Sequence, residues 1–335
     1  MKHNLANIGK WLLRILGFLL PAGLAYQFVM TKMDEARYPP PGQLVSVQNT
    51  RLHVYCMGSG SPTVLLEAAE GDIGVQFQPL MVEIAKFARV CTYDRPGTGW
   101  SDPMPELQTA EESATLFHDA LQILGENGPY VVAGHSIGGV YTQAFAKLYR
   151  SEVVGVVLID SVSQDVVLRM PPELFAGQRQ ALTLLRICQV TTPFGLPRLI
   201  GLGKVAESSG LSEEMRLTVE STVYKYPACG ELVKALQSAE RMSSKSSPKP
   251  DFGDLPLIVL IRDETVIYAK PPKGLSLDLI REGEQIWKQL QEEHAHMSTR
   301  GELIVAEGSG HYIYLARPDL ALESLKRVIA MAVRK

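Results

Sequence analysis

Hydrophobic residues in this chain gather in short, regularly spaced runs. Thr63–Glu67, Val90–Tyr93, Tyr130–Gly134, Val153–Ile159, Leu257–Ile261 and Leu303–Ala306 are almost continuously apolar. Runs of that length and continuity predict strands buried on both faces. Ahead of them, Leu44–Gln48 and Arg51–Cys56 read as a hairpin turned at Asn49-Thr50. Helical spacing fills the intervals. Thr109-Ala-Glu-Glu112 is a capping box, followed by Leu116, Ala120, Ile123 and Leu124 at helical positions, and Gly139–Tyr149 and Pro318–Val333 are also helical. Buried strands alternating with helices predict an α/β fold, a mostly parallel, doubly wound sheet of about eight strands covered on both faces.

One stretch breaks this alternation. Between Asp160 and Leu257 no strand is evident. There are helical patches at Gln180–Val190 and Glu213–Val223 and an apolar run from Phe194 to Gly203, and the polar stretch Ser243–Pro250 closes the segment as a linker. Residues 161–253 therefore read as a helical lid inserted after strand six, over one end of a core made of 38–160 and 254–335.

The beginning of the chain follows a third pattern. Ile15–Thr31 contains no charged residue, and counted from Trp11 the apolar span is 21 residues, enough to cross a bilayer. Residues 1–37 are thus expected to form an N-terminal membrane anchor, with a cleaved signal peptide or a buried helix kinked at Pro21 as the other readings. Basic residues before the span bias the N-terminus only slightly toward the inside. Tyr38-Pro-Pro-Pro forms a stiff connector to the body.

Composition sharpens this division. The chain has 335 residues, 46% hydrophobic, which excludes a disordered or fibrous protein. The net charge of −3 divides unevenly. Residues 1–37 carry five basic and two acidic side chains, so the remainder is at −6. An acidic body is a poor match for nucleic acid. Cys56, Cys91, Cys188 and Cys229 form no CxxC pair or zinc pattern; Cys56 and Cys91 fall in predicted core strands, where a thiol behaves as a small hydrophobe. No metal or cofactor is expected.

The chemistry centres on Val131-Val-Ala-Gly134-His135-Ser136-Ile137-Gly138-Gly139, which sits directly after a buried strand and directly before a helix. A sharp turn there needs Gly134 and Gly138, and it holds Ser136 exposed at the carboxyl end of the sheet. The helix N-terminus and the amide of Ile137 favour an oxyanion beside it. A serine nucleophile needs a base. His311, in the glycine-rich loop after the last strand, suits that role better than His3, His53, His118, His135, His294 or His296.

The stretch from about Pro39 to Val333 resembles the α/β-hydrolase superfamily, in particular its lidded serine esterase and lipase branch. The likeness rests on Tyr93–Asp102 (Tyr-Asp-Arg-Pro-Gly-Thr-Gly-Trp-Ser-Asp), Gly134-His-Ser-Ile-Gly138 and Gly308-Ser-Gly-His311, in that order. The resemblance implies a second oxyanion amide in the loop after the third strand. By position this is Ala69 in Leu66-Glu-Ala-Ala-Glu-Gly71, with Glu70 next, and Asp94 and Arg95 would be a structural pair bracing that loop. It also implies a third triad member, the usual position for which, after the seventh strand, holds Thr265. Asp160, at the end of the sixth strand as in pancreatic-type lipases, is the first choice; Asp263 and Glu264 are the alternatives. Members that open epoxides or remove halogens carry Asp where Ser136 stands.

The implied function is hydrolysis of small hydrophobic esters, lipid-like or medium-chain, through an acyl-enzyme on Ser136. Carbon–carbon bond hydrolysis or aminopeptidase activity by the same triad, or a silent membrane-tethered binding protein, are the alternatives.

Overall fold

The computed structural model describes residues 2–106, 108–205, 211–225, 227–243, 249–269, 271 and 274–333; for 2–10, 12, 13, 15, 16, 179, 205, 239, 242 and 243 it describes only the backbone. Much of the expected linker 243–250 lies outside the described residues.

Eight strands form one sheet: β1 (Gln43–Val47), β2 (Thr50–Met57), β3 (Thr63–Glu67), β4 (Arg89–Tyr93), β5 (Tyr130–His135), β6 (Val153–Ile159), β7 (Leu257–Arg262) and β8 (Gly301–Ala306). Their order is β1-β2-β4-β3-β5-β6-β7-β8. β2 is antiparallel to both β1 and β4, and all other pairings are parallel. The hairpin turn falls one residue earlier than expected: Val47 pairs with Thr50, which leaves Gln48 and Asn49 as the turn.

Side chains along the central strands alternate between two cores, as a period of two requires. Val132, Val156, Leu158, Leu257 and Val259 pack into one core with helices α3 (Ala110–Ile123) and α4 (Gly138–Leu148). Val131, Ala133, Val157, Ile258 and Leu260 face the other, under α2 (Gln78–Ile84) and α13 (Pro318–Val333). Both faces are dry, which is why these strands read as continuous apolar runs. The predicted capping box opens α3: the Thr109 side chain accepts from the Glu112 amide, and Glu112 reaches back to the Thr109 amide.

Between β6 and β7 the described residues contain helices and no strand. They are α5 (Val166–Arg169), α6 (Ala176–Thr191), α7 (Leu196–Leu199), α8 (Glu213–Val223) and α9 (Ala228–Ser243), with short 3₁₀ turns between them. α10 (Glu264–Ala269) and α11 (Leu277–Ala295) connect β7 to β8, and α12 (Ile313–Ala316) precedes α13.

Two further features depart from the sequence reading. The four cysteines are paired. Cys56 and Cys91 are register partners on adjacent antiparallel strands, and their disulfide joins β2 to β4, while Cys188–Cys229 joins α6 to α9. The first pair is separated by 35 residues and meets only because β4 lies beside β2 in the sheet. The second departure is at the N-terminus. Residues Lys2–Arg37 form one helix, α1, whose later turns pack on the helical segment instead of standing free. Gln27 is buried and donates from Nε2 to the Tyr224 carbonyl at 2.7 Å, and Asp34 pairs with Arg198 at 2.6 Å. Among the described residues no helix is long and apolar enough to cross a membrane, and several side chains of the expected span lie outside that description.

Candidate active site

The central strand β5 ends in a turn that the sequence allows only because of its glycines. A Cβ at Gly134 would fall 2.4 Å from the Gly138 carbonyl, and one at Gly138 would fall 2.3 Å from the Glu67 carbonyl at the end of β3. This close approach lets Ser136 adopt φ 56°, a left-handed conformation rare for a side-chain-bearing residue. Its amide is tied to the Ile159 carbonyl at 3.0 Å, and its carbonyl accepts from the amides of Gly139 and Val162. Ile137 follows at the N-terminus of α4, where the orphan amides and the helix dipole favour negative charge.

The loop after β3 lies against this turn. Ala68 and Ala69 are buried, and the Arg95 guanidinium donates to both of their carbonyls, at 2.8 and 2.6 Å. Asp94 holds the next part of the loop by accepting from the Gly74 amide at 2.8 Å, and it also accepts from the Trp100 amide and the His53 ring. Arg95 and Asp94 thus brace the loop at two separate points. Glu70 turns inward, where burial raises its pKa against the pull of Arg95. Burial also pushes Asp72 up to about 6, and its carboxylate accepts from Gln76 while feeling the charge of His311.

His311 sits in the loop after β8. Its Nδ1 lies 2.5 Å from Asp160 Oδ2. Asp160 closes β6 with φ 44° and is wholly buried. Its Oδ1 also accepts from Trp287 Nε1 at 2.8 Å and from the Arg262 amide at 3.2 Å, and its Oδ2 accepts from Arg262 Nη1 at 2.9 Å. Burial works to raise its pKa, but Arg262 and His311 overcome this and hold it well below the usual carboxylate range. Arg262 in turn forks onto Glu284 at 2.7 and 3.0 Å and lies over the Trp287 ring.

The alternative acids lie elsewhere. Asp263 spends one oxygen on the Gly308 amide and the other on Thr265, and these hydrogen bonds lower its pKa. It therefore shapes the loop that carries His311 without touching the imidazole. Glu264 is exposed at the start of α10 and accepts from Tyr268. The structure brings together His311 and Asp160 and sets Asp263 and Glu264 apart from that pair.

Three residues at this site escaped sequence reasoning. Arg262 and Trp287 come from β7 and α11, and only the folded sheet brings them to Asp160. The third is His135, beside Ser136. Its Nε2 donates to the His311 carbonyl at 2.8 Å and its ring packs 4.6 Å from the His311 ring. Burial, followed by the nearby His311 charge, lowers its pKa to about 3, so it is neutral. Beyond Trp287 lies a cavity of about 220 Å³, lined mainly by Val166, Met170, Leu174, Phe175, Ile280 and Trp287.

Residues 73–323 match the alpha/beta hydrolase family. A fission yeast (Schizosaccharomyces pombe) relative, uncharacterized protein C23C11.06c, is 30% identical over 191 residues, covering 48% of this chain; the chain spans only 35% of that relative's length. Among solved structures, a thermophilic esterase from Thermogutta terrifontis is similar with a TM-score of 0.57 at 20% identity, over 86% of this chain and 97% of the other. The Cif epoxide hydrolase from Acinetobacter nosocomialis is similar with a TM-score of 0.63 at 13% identity, over 91% and 96% of the two chains. With the sheet order, the strained serine after β5 and the histidine after β8 in place, the chain belongs to the alpha/beta hydrolase family.

Proposed function

We propose that this hydrolase is a serine esterase that cleaves hydrophobic carboxylic esters through an acyl-enzyme. The observation that carries the reading is a left-handed Ser136 just after β5 together with the His311–Asp160 couple in the loops that follow β8 and β6. In this reading Asp160 accepts from His311 Nδ1–H, which fixes the tautomer and leaves Nε2 as the base. His311 Nε2 takes the Ser136 proton as Oγ attacks the ester carbonyl carbon. The resulting oxyanion is held by the amides of Ile137 and Ala69. Collapse of the tetrahedral species breaks the bond to the alcohol oxygen, which receives the proton from His311. Water, deprotonated by the same nitrogen, then attacks the acyl carbon and returns Ser136 and a carboxylic acid.

Serine at position 136 favours this chemistry over epoxide opening, because the family members that open epoxides resemble this chain but carry Asp there. The cavity beside Trp287, apolar apart from Arg262 and Glu284, and the apolar α1 favour a lipid-like or medium-chain ester over a polar one. Association with a membrane through residues 1–37 belongs to the same reading. Two disulfides favour a body that lies in an oxidising compartment. The test is labelling of the purified full chain by a fluorophosphonate probe, followed by turnover of p-nitrophenyl esters of increasing chain length. Labelling that disappears in Ser136→Ala, with turnover rising beyond acetyl, is expected. An unlabelled wild-type protein would sink the reading.

A further inference from the structure

The outward surface of α1 and of the helical segment carries apolar side chains that the proposed chemistry leaves unused. Of the 23 large hydrophobic side chains described as exposed, 14 lie on adjoining pieces of structure, eight on α1 between Trp11 and Met33 and six between Leu184 and Ile200. These pieces touch. α6 runs directly into Thr192–Phe194, and Gly23 of α1 is so close that a Cβ there would sit 2.7 Å from the Phe194 carbonyl. Arg198, in α7, pairs with Asp34 of α1 and lies over Tyr224.

This packing changes what α1 is able to do in a membrane. From Gly23 onward, one face of the helix is occupied by protein. Trp11 to Ala22, the turns before that contact, span only about 18 Å at 1.5 Å per residue. A bilayer core is about 30 Å thick. The outer face of the later turns nevertheless stays apolar, with Phe28 65% and Val29 52% exposed. Charge indicates what covers this surface. Residues 1–37 hold five basic side chains against two acidic ones, one of which, Asp34, is already committed to Arg198, whereas the rest of the chain stands at −6. An apolar face on a stretch of net charge +3, in an otherwise acidic protein, complements an anionic bilayer surface.

We infer that α1 and the outer face of the segment 184–200 form one docking surface that lies in the interface of an anionic lipid bilayer. The helix is then part of the helical segment's own structure and not a free tether. Docking sets the segment that follows Asp160 against the lipid, so a hydrophobic ester would reach the site from the membrane side. Only this last consequence rests on the esterase reading.

The full chain is tested in phosphatidylcholine vesicles with and without phosphatidylserine, using brominated acyl chains as quenchers. In a Trp11→Phe background, a reporter Leu199→Trp on the proposed face is compared with Ile123→Trp on α3. Added quenching at 199 and none at 123, stronger with phosphatidylserine, is expected. Vesicle binding without added quenching at 199, the behaviour of a helix that anchors alone, overturns the inference, as does equal quenching at both positions or no binding. Separately, Leu184→Glu/Ile187→Glu/Leu199→Glu is expected to lower turnover of a vesicle-embedded ester about tenfold or more. Fluorophosphonate labelling and turnover of soluble p-nitrophenyl acetate should be retained, which shows that the variant is folded. Equal turnover of the embedded ester by this variant and the wild type counts against the inference. Loss of labelling in the wild type would fail the esterase reading and leave the quenching result intact.

Discussion

Replacing Arg262 by Met probes the buried charges around Asp160. Arg262 is the cation for two carboxylates at once, Asp160 at 2.9 Å and Glu284 at 2.7 Å. Asp160 is fully buried and the Glu284 side chain is only 10% exposed. Removing one partner of such an arrangement strands the other charges, at a cost of about 3–5 kcal/mol. With an unfolding entropy of about 2.1 cal/mol/K per residue over a body of roughly 300 residues, that is a fall in Tm of about 5–8 °C. Met has similar bulk and can stay against Trp287, so the loss reports charge more than packing. Arg262→Lys keeps the charge without the fork and should fall in between. The pH dependence carries a sign. Asp160 is held below its unfolded pKa, so its contribution is present above the ordinary carboxylate range and is lost as pH falls through the depressed value. In the Met variant the carboxyl loses the strongest of the groups that hold it down and protonates earlier, which relieves the stranded charge. The gap between wild type and variant should therefore narrow as pH is lowered from about 5 to 3. Thermal melts of both proteins across that range measure it. A variant as stable as wild type, or a gap that is constant with pH, would refute the assignment of Arg262 as the counter-charge.

Asp160→Asn should reduce ester turnover by about ten-thousand-fold through the wrong imidazole tautomer, while Asp263→Asn should cost far less; p-nitrophenyl ester assays of both check this. Burial raises the Glu67 pKa to about 8. A carboxyl raised in this way binds its proton more tightly when folded, so it makes stability fall as pH rises from the usual carboxylate range to about 8. Melts of Glu67→Gln should show that slope flattened, and an unchanged slope would count against it. Removing the α6–α9 bridge with Cys188→Ala/Cys229→Ala should cost about 2–4 kcal/mol and let protease cut within 161–253 before the sheet, as read by the masses of early fragments.

Most of the sheet was legible because its central strands are dry on both faces and so stand out as apolar runs. The turn at Ser136 was legible for a different reason: a Cβ at either glycine would fall within 2.4 Å of a backbone carbonyl, which leaves few alternatives at 134 and 138. What stayed hidden depends on sheet order and on helix ends. Cys56 and Cys91 become neighbours only when β4 inserts between β2 and β3. Along the chain only a resemblance puts Asp160 ahead of Asp263, whereas in the fold one points at an imidazole and the other at a glycine amide. Arg262 and Trp287 reach Asp160 across 102 and 127 residues, with no local signal. The apolar span from Trp11 does not distinguish a face against protein from a face against lipid, because Gly23 and Tyr26 read the same in either setting.

The bond from His135 to the His311 carbonyl also limits how far the two halves of the site can drift. Ser136 and His311 follow different strands, and a slip between β5 and β8 would ordinarily separate them. Here the residue next to the serine grips the backbone of the histidine itself, so the gap between them is gauged locally and not across the width of the sheet. Because the gripping ring stays uncharged down to about pH 3, the gauge holds its length without adding another cation beside Arg262 to compete for Asp160.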